Sequence, residues 1–326
     1  MDEREYIKRI APGRRNINQR MVHRGFVFPF GAYPEEPFDQ RIGYDSRYIE
    51  ESGLYNYEIS VSHERVLGVF IALLGLLPNK AHVVAQVHTD DYYRECDSYV
   101  SENAIPMDNL IEWVVAWRAV TADDGFFGIG AFCEDPAAEV FLDEHKTIHM
   151  YHHDPDVMES TLEGLGVPFR MGLRFFWDEP HYHEPLPLSD DEGDDFLSAF
   201  EDLADSYELM LEEEEEVDID EDGDPMEVTC WRVEVRGYQQ NGVEGGPRSG
   251  GFYSTYYLNA AYRSEAVAQV ESYLESKHET VDLFLQMARV PLELLTANLR
   301  NANKLPNEPG VWFETDKYEF DGDQDD

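Results

Sequence analysis

Between Arg174 and Arg232 the chain carries 23 aspartates and glutamates and not one lysine or arginine. Carboxylates at that density repel one another and resist burial, so the segment reads as a boundary between packed regions. The expectation is an α+β protein: two mixed sheet-and-helix domains joined by an acidic amphipathic helix. Its parts are a basic, aromatic-rich arm over 1–44, an α+β domain over 45–179, an acidic linker over 180–226, a small ββαβαβ domain over 227–320, and a disordered acidic tail over 321–326.

The pattern becomes regular at YNYEISVS (55–62), a strand followed by Ser62 as helix cap and an apolar helix that Pro78 stops. AHVVAQVH is a second strand, and MDNLIEWVVAWRAV (107–120) is a helix with Asp108 as its cap. FFGIGAFC, AEVFLDE and KTIHMYHH are three strands, and DPDVMESTLEGLGV is a short helix ending at glycine. In the linker, Phe196, Phe200, Leu203, Tyr207 and Met210 recur in steps of four and three, an apolar stripe that must be buried on this chain's own domains, a partner or a second copy. Beyond Glu227 come two strands, a helix capped by Ser264, a strand, a short helix with Pro291 in its first turn, and VWFETDKYEF as the last strand.

The formal net charge is −43, with 68 acidic against 25 basic residues, six of them lysine. Such a surface repels nucleic acid and anionic lipid, so no nucleic-acid partner is expected except through the arm, where seven basic residues fall in the first 24, and the charge balance favours an arm that lies against the chain's own acidic regions. The balance matches that of salt-adapted proteins, whose surface carboxylates hold water and cations. The longest apolar run, 67–78, is about half a bilayer span, and the first fifteen residues are charged throughout; a cytoplasmic protein with no membrane partner is expected. Cys96, Cys133 and Cys230 share no CxxC spacing and suggest neither a disulfide framework nor a zinc ribbon.

HKTIHMYHHDPD (145–156) is the stretch richest in chemistry. Pleat alternation places Ile148, Met150 and His152 on one face and His149, Tyr151 and His153 on the other, while Asp154 before Pro155 is a helix cap. His149 and His153 then lie about 13 Å apart at ~3.3 Å per residue, too far to share an ion. His181 and His183 of HYHE are about 7 Å apart on one side of an extended segment, a spacing that permits convergence on zinc. With His149 or His153 alongside, and Glu184 or Asp178, they form the candidate metal set.

Asp218, Asp220 and Asp222 open a calcium-loop pattern, but its twelfth position is Thr229 and a strand follows, so an anionic turn is the simpler reading. QQNGVEGGPRSGG joins two strands and offers no helix N-terminus to phosphate. Asp135, Glu144 and Lys146 loosely match metal-dependent nucleases, and Cys133 with His149 a thiol and base; both patterns are short. The leading function reading is a non-catalytic acidic interaction or regulatory protein with a protein partner or a second copy of itself, no catalytic residue and no cofactor. The alternative is a metal-dependent hydrolase on His149, His153, His181 and His183, with zinc at the histidines or calcium at the aspartates.

Overall fold

The computed structural model describes residues 20–89, 91, 94–186, 195–212, 227–239 and 249–320. It is mixed α+β, rich in antiparallel strands, and divides into two compact units. The described residues of the larger fall within Glu3–His88 and Ser98–Met210, and those of the smaller within Thr89–Asp97 and Leu211–Asp326. No helix among the described residues is long and apolar enough to cross a membrane.

The larger unit begins with β1 (Val22–His23), β2 (Phe26–Val27) and β3 (Ala32–Pro34), then β4 (Gly43–Ile49), β5 (Leu54–Ser60), helix α1 (His63–Leu74) and β6 (Lys80–His88). There follow β7 (Cys96–Ser101), β8 (Ile105–Pro106), α2 (Met107–Ala116), α3 (Arg118–Asp123), β9 (Phe127–Glu134), β10 (Ala137–Leu142), β11 (Ile148–His152) and α4 (Pro155–Gly164). After a 3-10 turn at Phe176–Asp178 come β12 (His181–His183), α5 (Phe196–Tyr207) and β13 (Leu209–Leu211). Nine strands form one sheet in the order β13-β7-β6-β9-β10-β11-β5-β4, with β8 added on β6. In β6, Ala81, Val83, Ala85 and Val87 are buried and alternate with half-buried neighbours, as one covered face requires. Pairs β1–β2 and β12–β3 are separate two-stranded ladders.

Several local expectations differ from the structure. Helix 107–120 breaks at Trp117 into α2 and α3, and Pro106 rather than Asp108 is the N-cap residue of α2. Ser62 precedes α1 without capping it, because its hydroxyl accepts from Val27 N at 2.9 Å and donates to Glu64 at 2.6 Å. Asp154 does cap α4, accepting from Asp156 N and Val157 N, with Pro155 at the first helical position. From residue 20 the arm is folded in: Phe26, Phe28, Ala32 and Tyr33 form a small core with Phe176, and Arg20 pairs with Asp123.

The apolar stripe is taken up inside the larger unit, which removes most of the expected contact surface. Phe196, Phe200 and Leu203 are buried; Phe200 packs on Tyr99 at 4.6 Å between ring centroids and Phe196 on Phe126 at 5.6 Å. Tyr207 is half-buried and donates to Asn109 O, and Met210 alone of the five is exposed. Trp113 and Trp117 both donate to Asp202 of α5 at 2.8 Å, which fixes this acidic helix beside α2. Glu208, in the left-handed region at φ 51°, ends it.

The smaller unit is one antiparallel sheet, β16-β14-β15-β17, with β18 also on β15: β14 (Thr229–Gln239), β15 (Ser249–Ala260), α6 (Arg263–Glu275), β16 (Glu279–Arg289), α7 (Ala297–Ala302), β17 (Gly310–Glu314) and β18 (Tyr318–Phe320). Trp231, Val233, Phe252, Tyr256 and Leu258 pack on Ala266, Val270 and Leu274 of α6. Tyr262 rather than Ser264 is the residue before α6, the last helix starts after Thr296 rather than at Pro291, and VWFETDKYEF is two strands. Fully buried Asp97 sits between Arg94 at 2.7 Å and Arg263 at 3.1 Å and accepts from Met287 N at 3.0 Å, so its charge is paired on all sides.

Candidate metal centre

His145 lies in the five-residue turn, 143–147, between β10 and β11, and that turn is closed by its own residues. Asp143 N donates to Thr147 O and Lys146 N to Asp143 O, each at 3.0 Å, while Thr147 N donates to Asp143 Oδ1 at 2.7 Å. Lys146 takes the left-handed region at φ 62°, is buried, and donates its ammonium to Phe127 O. The turn thereby holds His145 at the ends of β10 and β11, two interior strands of the large sheet.

His181 and His183 come from β12, held against the turn after α3 by a close backbone approach. Gly31 N donates to Asp123 O at 2.7 Å, Glu184 N to Gly31 O at 2.7 Å and Gly125 N to Glu184 O at 3.1 Å. A Cβ on Gly31 or Gly125 would collide with the other's backbone, so both positions demand glycine. Leu186 N donates to the buried Asp124 at 2.7 Å.

The three imidazoles meet. His145 Nε2 is 3.2 Å from His181 Nε2 and 3.1 Å from His183 Nε2. Zinc bound to nitrogens at 2.0–2.1 Å in a tetrahedron separates its ligand atoms by about 3.3 Å, so the spacing fits one shared ion. Each ring's other nitrogen faces an oxygen: His181 Nδ1 donates to Glu179 O at 2.8 Å, His183 Nδ1 to Gly125 O at 2.9 Å, and His145 Nδ1 lies 3.2 Å from Glu144 Oε1 and 3.7 Å from Asp143 Oδ2. Those contacts select the Nδ1–H tautomer of His181 and His183 and turn their Nε2 lone pairs towards His145 Nε2, the arrangement that orients metal-bound imidazoles.

Electrostatics follow the same division. Burial disfavours a charged His145, yet the Asp143 and Glu144 carboxylates override it and raise its pKa to about 10. Burial, with His145 beside it, pushes His183 down to about 3, so His183 offers a lone pair at neutral pH. Asp143 is buried, which opposes ionisation, but hydrogen bonds from His145 and His149 hold it below the usual carboxylate range. Phe176 and Trp177 lie against His145 at 5.7 and 5.2 Å, and His88 stacks on His183 at 5.5 Å.

The structure therefore brings His181 and His183 together, but with His145 in place of His149 or His153. His149 Nε2 is bonded to Asp143 Oδ2 at 2.9 Å, behind His145, and His153 is exposed and stacked on His152. Asp178 accepts from Phe175 N, and Glu184 from the Tyr33 hydroxyl. Asp218, Asp220 and Asp222 lie outside the described residues, as do residues 240–248 of the glycine-rich loop. Asp135 and the pair Glu144 and Lys146 fall in turns at opposite ends of β10, so no nuclease-like set forms. Cys133 on β9 is opposite Ala138, while His149 on β11 is opposite Phe141, so thiol and imidazole are not partners.

Comparison with known proteins is negative. No family model, curated protein or solved structure matches the chain. The centre is read from its own geometry: three imidazoles, two of them one residue apart on a strand and one on a hairpin turn, with carboxylates behind the third. The one signal for His145 in the sequence was the turn-forming DEHK between two apolar alternations, and it marks a turn without telling which strand lies across from it.

Proposed function

We propose that the chain is a metalloprotein that holds a divalent transition metal, zinc by donor type, on the Nε2 atoms of His145, His181 and His183 and uses it for metal-assisted hydrolysis or hydration. The observation that carries this reading is the joint commitment of all three Nδ1 positions to oxygen acceptors, with the Nε2 atoms at ligand spacing. Nitrogen donors favour zinc, copper, nickel or cobalt over magnesium or calcium. Three protein ligands leave a fourth tetrahedral position for water, and a bound zinc lowers that water's pKa to about 7. Asp143 and Glu144 orient His145 and offset the ion's charge. Two domains with an acidic connection between them remain part of the reading, and the division into two compact units supports it; the centre belongs wholly to the larger.

Metal analysis of untagged full-length protein, equilibrated with zinc and dialysed, tests the reading. One zinc per chain is expected, lost in His181→Ala and His183→Ala and kept in His153→Ala. Wild-type protein that retains no zinc, cobalt, nickel or copper ends it. Turnover of an activated ester by the loaded wild type but not by His183→Ala tests the hydrolytic half. The competing interaction-protein reading loses its main support with the burial of Phe196, Phe200 and Leu203.

A further inference from the structure

The three ligands of the centre are supplied by two differently built parts of the larger unit. His145 sits on a turn whose backbone bonds are internal, between adjacent strands of the nine-stranded sheet. His181 and His183 sit on β12, which pairs with β3 in its own two-stranded ladder, His181 opposite Pro34 and His183 opposite Ala32. Gly31 N and Phe30 N tie the β3 side of this ladder to Asp123, and three hydrogen bonds tie the β12 side to the turn at 123–125: Gly125 N to Glu184 O, His183 Nδ1 to Gly125 O, and Leu186 N to Asp124. Behind β12, Phe28, Tyr33 and Phe176 are buried against one another.

We infer that the centre is a metal-operated latch: ion uptake fixes β12 and the residues 179–186 around it onto the pre-set His145 turn, and ion loss frees them. This rests on the metal reading above. The physical reason lies in differential affinity. A docked β12 presents three converging nitrogens, whereas an undocked one leaves His145 alone with its two carboxylates, so an ion favours the docked state by the ratio of the two affinities. The strap's remaining bonds to the 123–125 turn are few, and one of them, from His183 Nδ1, belongs to a ligand; ligation and docking therefore reinforce each other. The His145 turn has its own bonds and is the same in both states. Release of the strap takes His181 off Phe176 and Tyr182 off Tyr33, ring contacts of 5.7 and 5.5 Å in the docked state.

Amide hydrogen exchange on the full chain, with Zn²⁺ or with EDTA, reads this directly. At free zinc about ten times Kd, the amides of 181–186 are expected to exchange about tenfold more slowly than in EDTA, with 143–149 changed far less. In His145→Ala, which leaves β12 untouched, zinc should no longer protect 181–186. Gly125→Ala, which breaks the strap's backbone clamp, should leave that segment fast even with zinc present. Zinc that binds stoichiometrically but protects the whole chain evenly, or leaves 181–186 unchanged, overturns the latch while the metal reading stands; wild type that binds no zinc overturns both.

Discussion

His145 shows how one residue's surroundings set its chemistry. Its Nδ1 faces two buried carboxylates and its Nε2 faces two further imidazoles. In the metal-free protein the carboxylates hold a proton on it up to about pH 10, far above the unfolded value near 6.5. Because the folded pKa is the higher one, folding takes up a proton, and the stability this contributes is complete below about pH 6.5 and lost as pH climbs through 10. The melting temperature of EDTA-treated wild type should therefore fall between pH 7 and 10 more steeply than that of His145→Gln; parallel slopes would show that the carboxylates do not hold the proton. His183 has the opposite sign. Its folded value near 3 means that stability is lost as pH drops below about 6.5, when the unfolded chain takes up a proton the folded one refuses. The His183 shift is not legible in the letters HYH, since it arises from burial and from groups distant in the chain, whereas the carboxylates that raise His145 are its neighbours Asp143 and Glu144 and only their burial is tertiary.

At the scale of elements, the α5 helix is the instructive case. Its apolar residues fall in steps of four and three, and that spacing alone foretold a buried stripe on an anionic rod. Which surface buries it was a tertiary matter: Tyr99 and Phe126 of the same unit accept Phe200 and Phe196, and two tryptophans of the α2 region bind Asp202. Phe200→Ala is accordingly expected to cost about 3–5 kcal/mol of stability, the range for removing a fully buried phenylalanine, and to leave the oligomeric mass unchanged. Met210→Ser, at an exposed position, should stay within about 0.5 kcal/mol. Denaturant melts paired with light scattering separate the outcomes: a Phe200→Ala variant of native stability but altered mass would return the helix to the role of a docking surface. The strands at 54–60 and 80–88 were legible for the same reason as the helix, because alternation is local, whereas β4 and β7 were not read from the sequence. Caps were less so: Asp154 caps α4, whereas Asp108 and Ser264 do not cap, their helices being entered from Pro106 and Tyr262.

Across the whole molecule the net charge of −43 opposes compaction. The Debye length shrinks from about 10 Å in 0.1 M salt to about 3 Å at 1 M, so screening relieves repulsion between surface carboxylates. The melting temperature should rise from dilute buffer to molar KCl, and a fall would show that specific ion pairs such as Arg20–Asp123, which salt weakens, outweigh the repulsion. Periodicity and charge by themselves determined that the chain is α+β, that strands lie near 55–60, 81–88, 127–152 and 229–260, and that a basic-free segment interrupts them. These depend on spacing along the chain, which the sequence displays. Tertiary structure decided which imidazoles meet: the β10–β11 hairpin put His145 at a turn and the β12–β3 ladder brought His181 and His183 to it, while His149 was drawn behind to Asp143. The hairpin is local, but the β12–β3 pairing joins strands more than a hundred residues apart, whose register is selected by the packing of the finished unit and leaves no mark in local spacing.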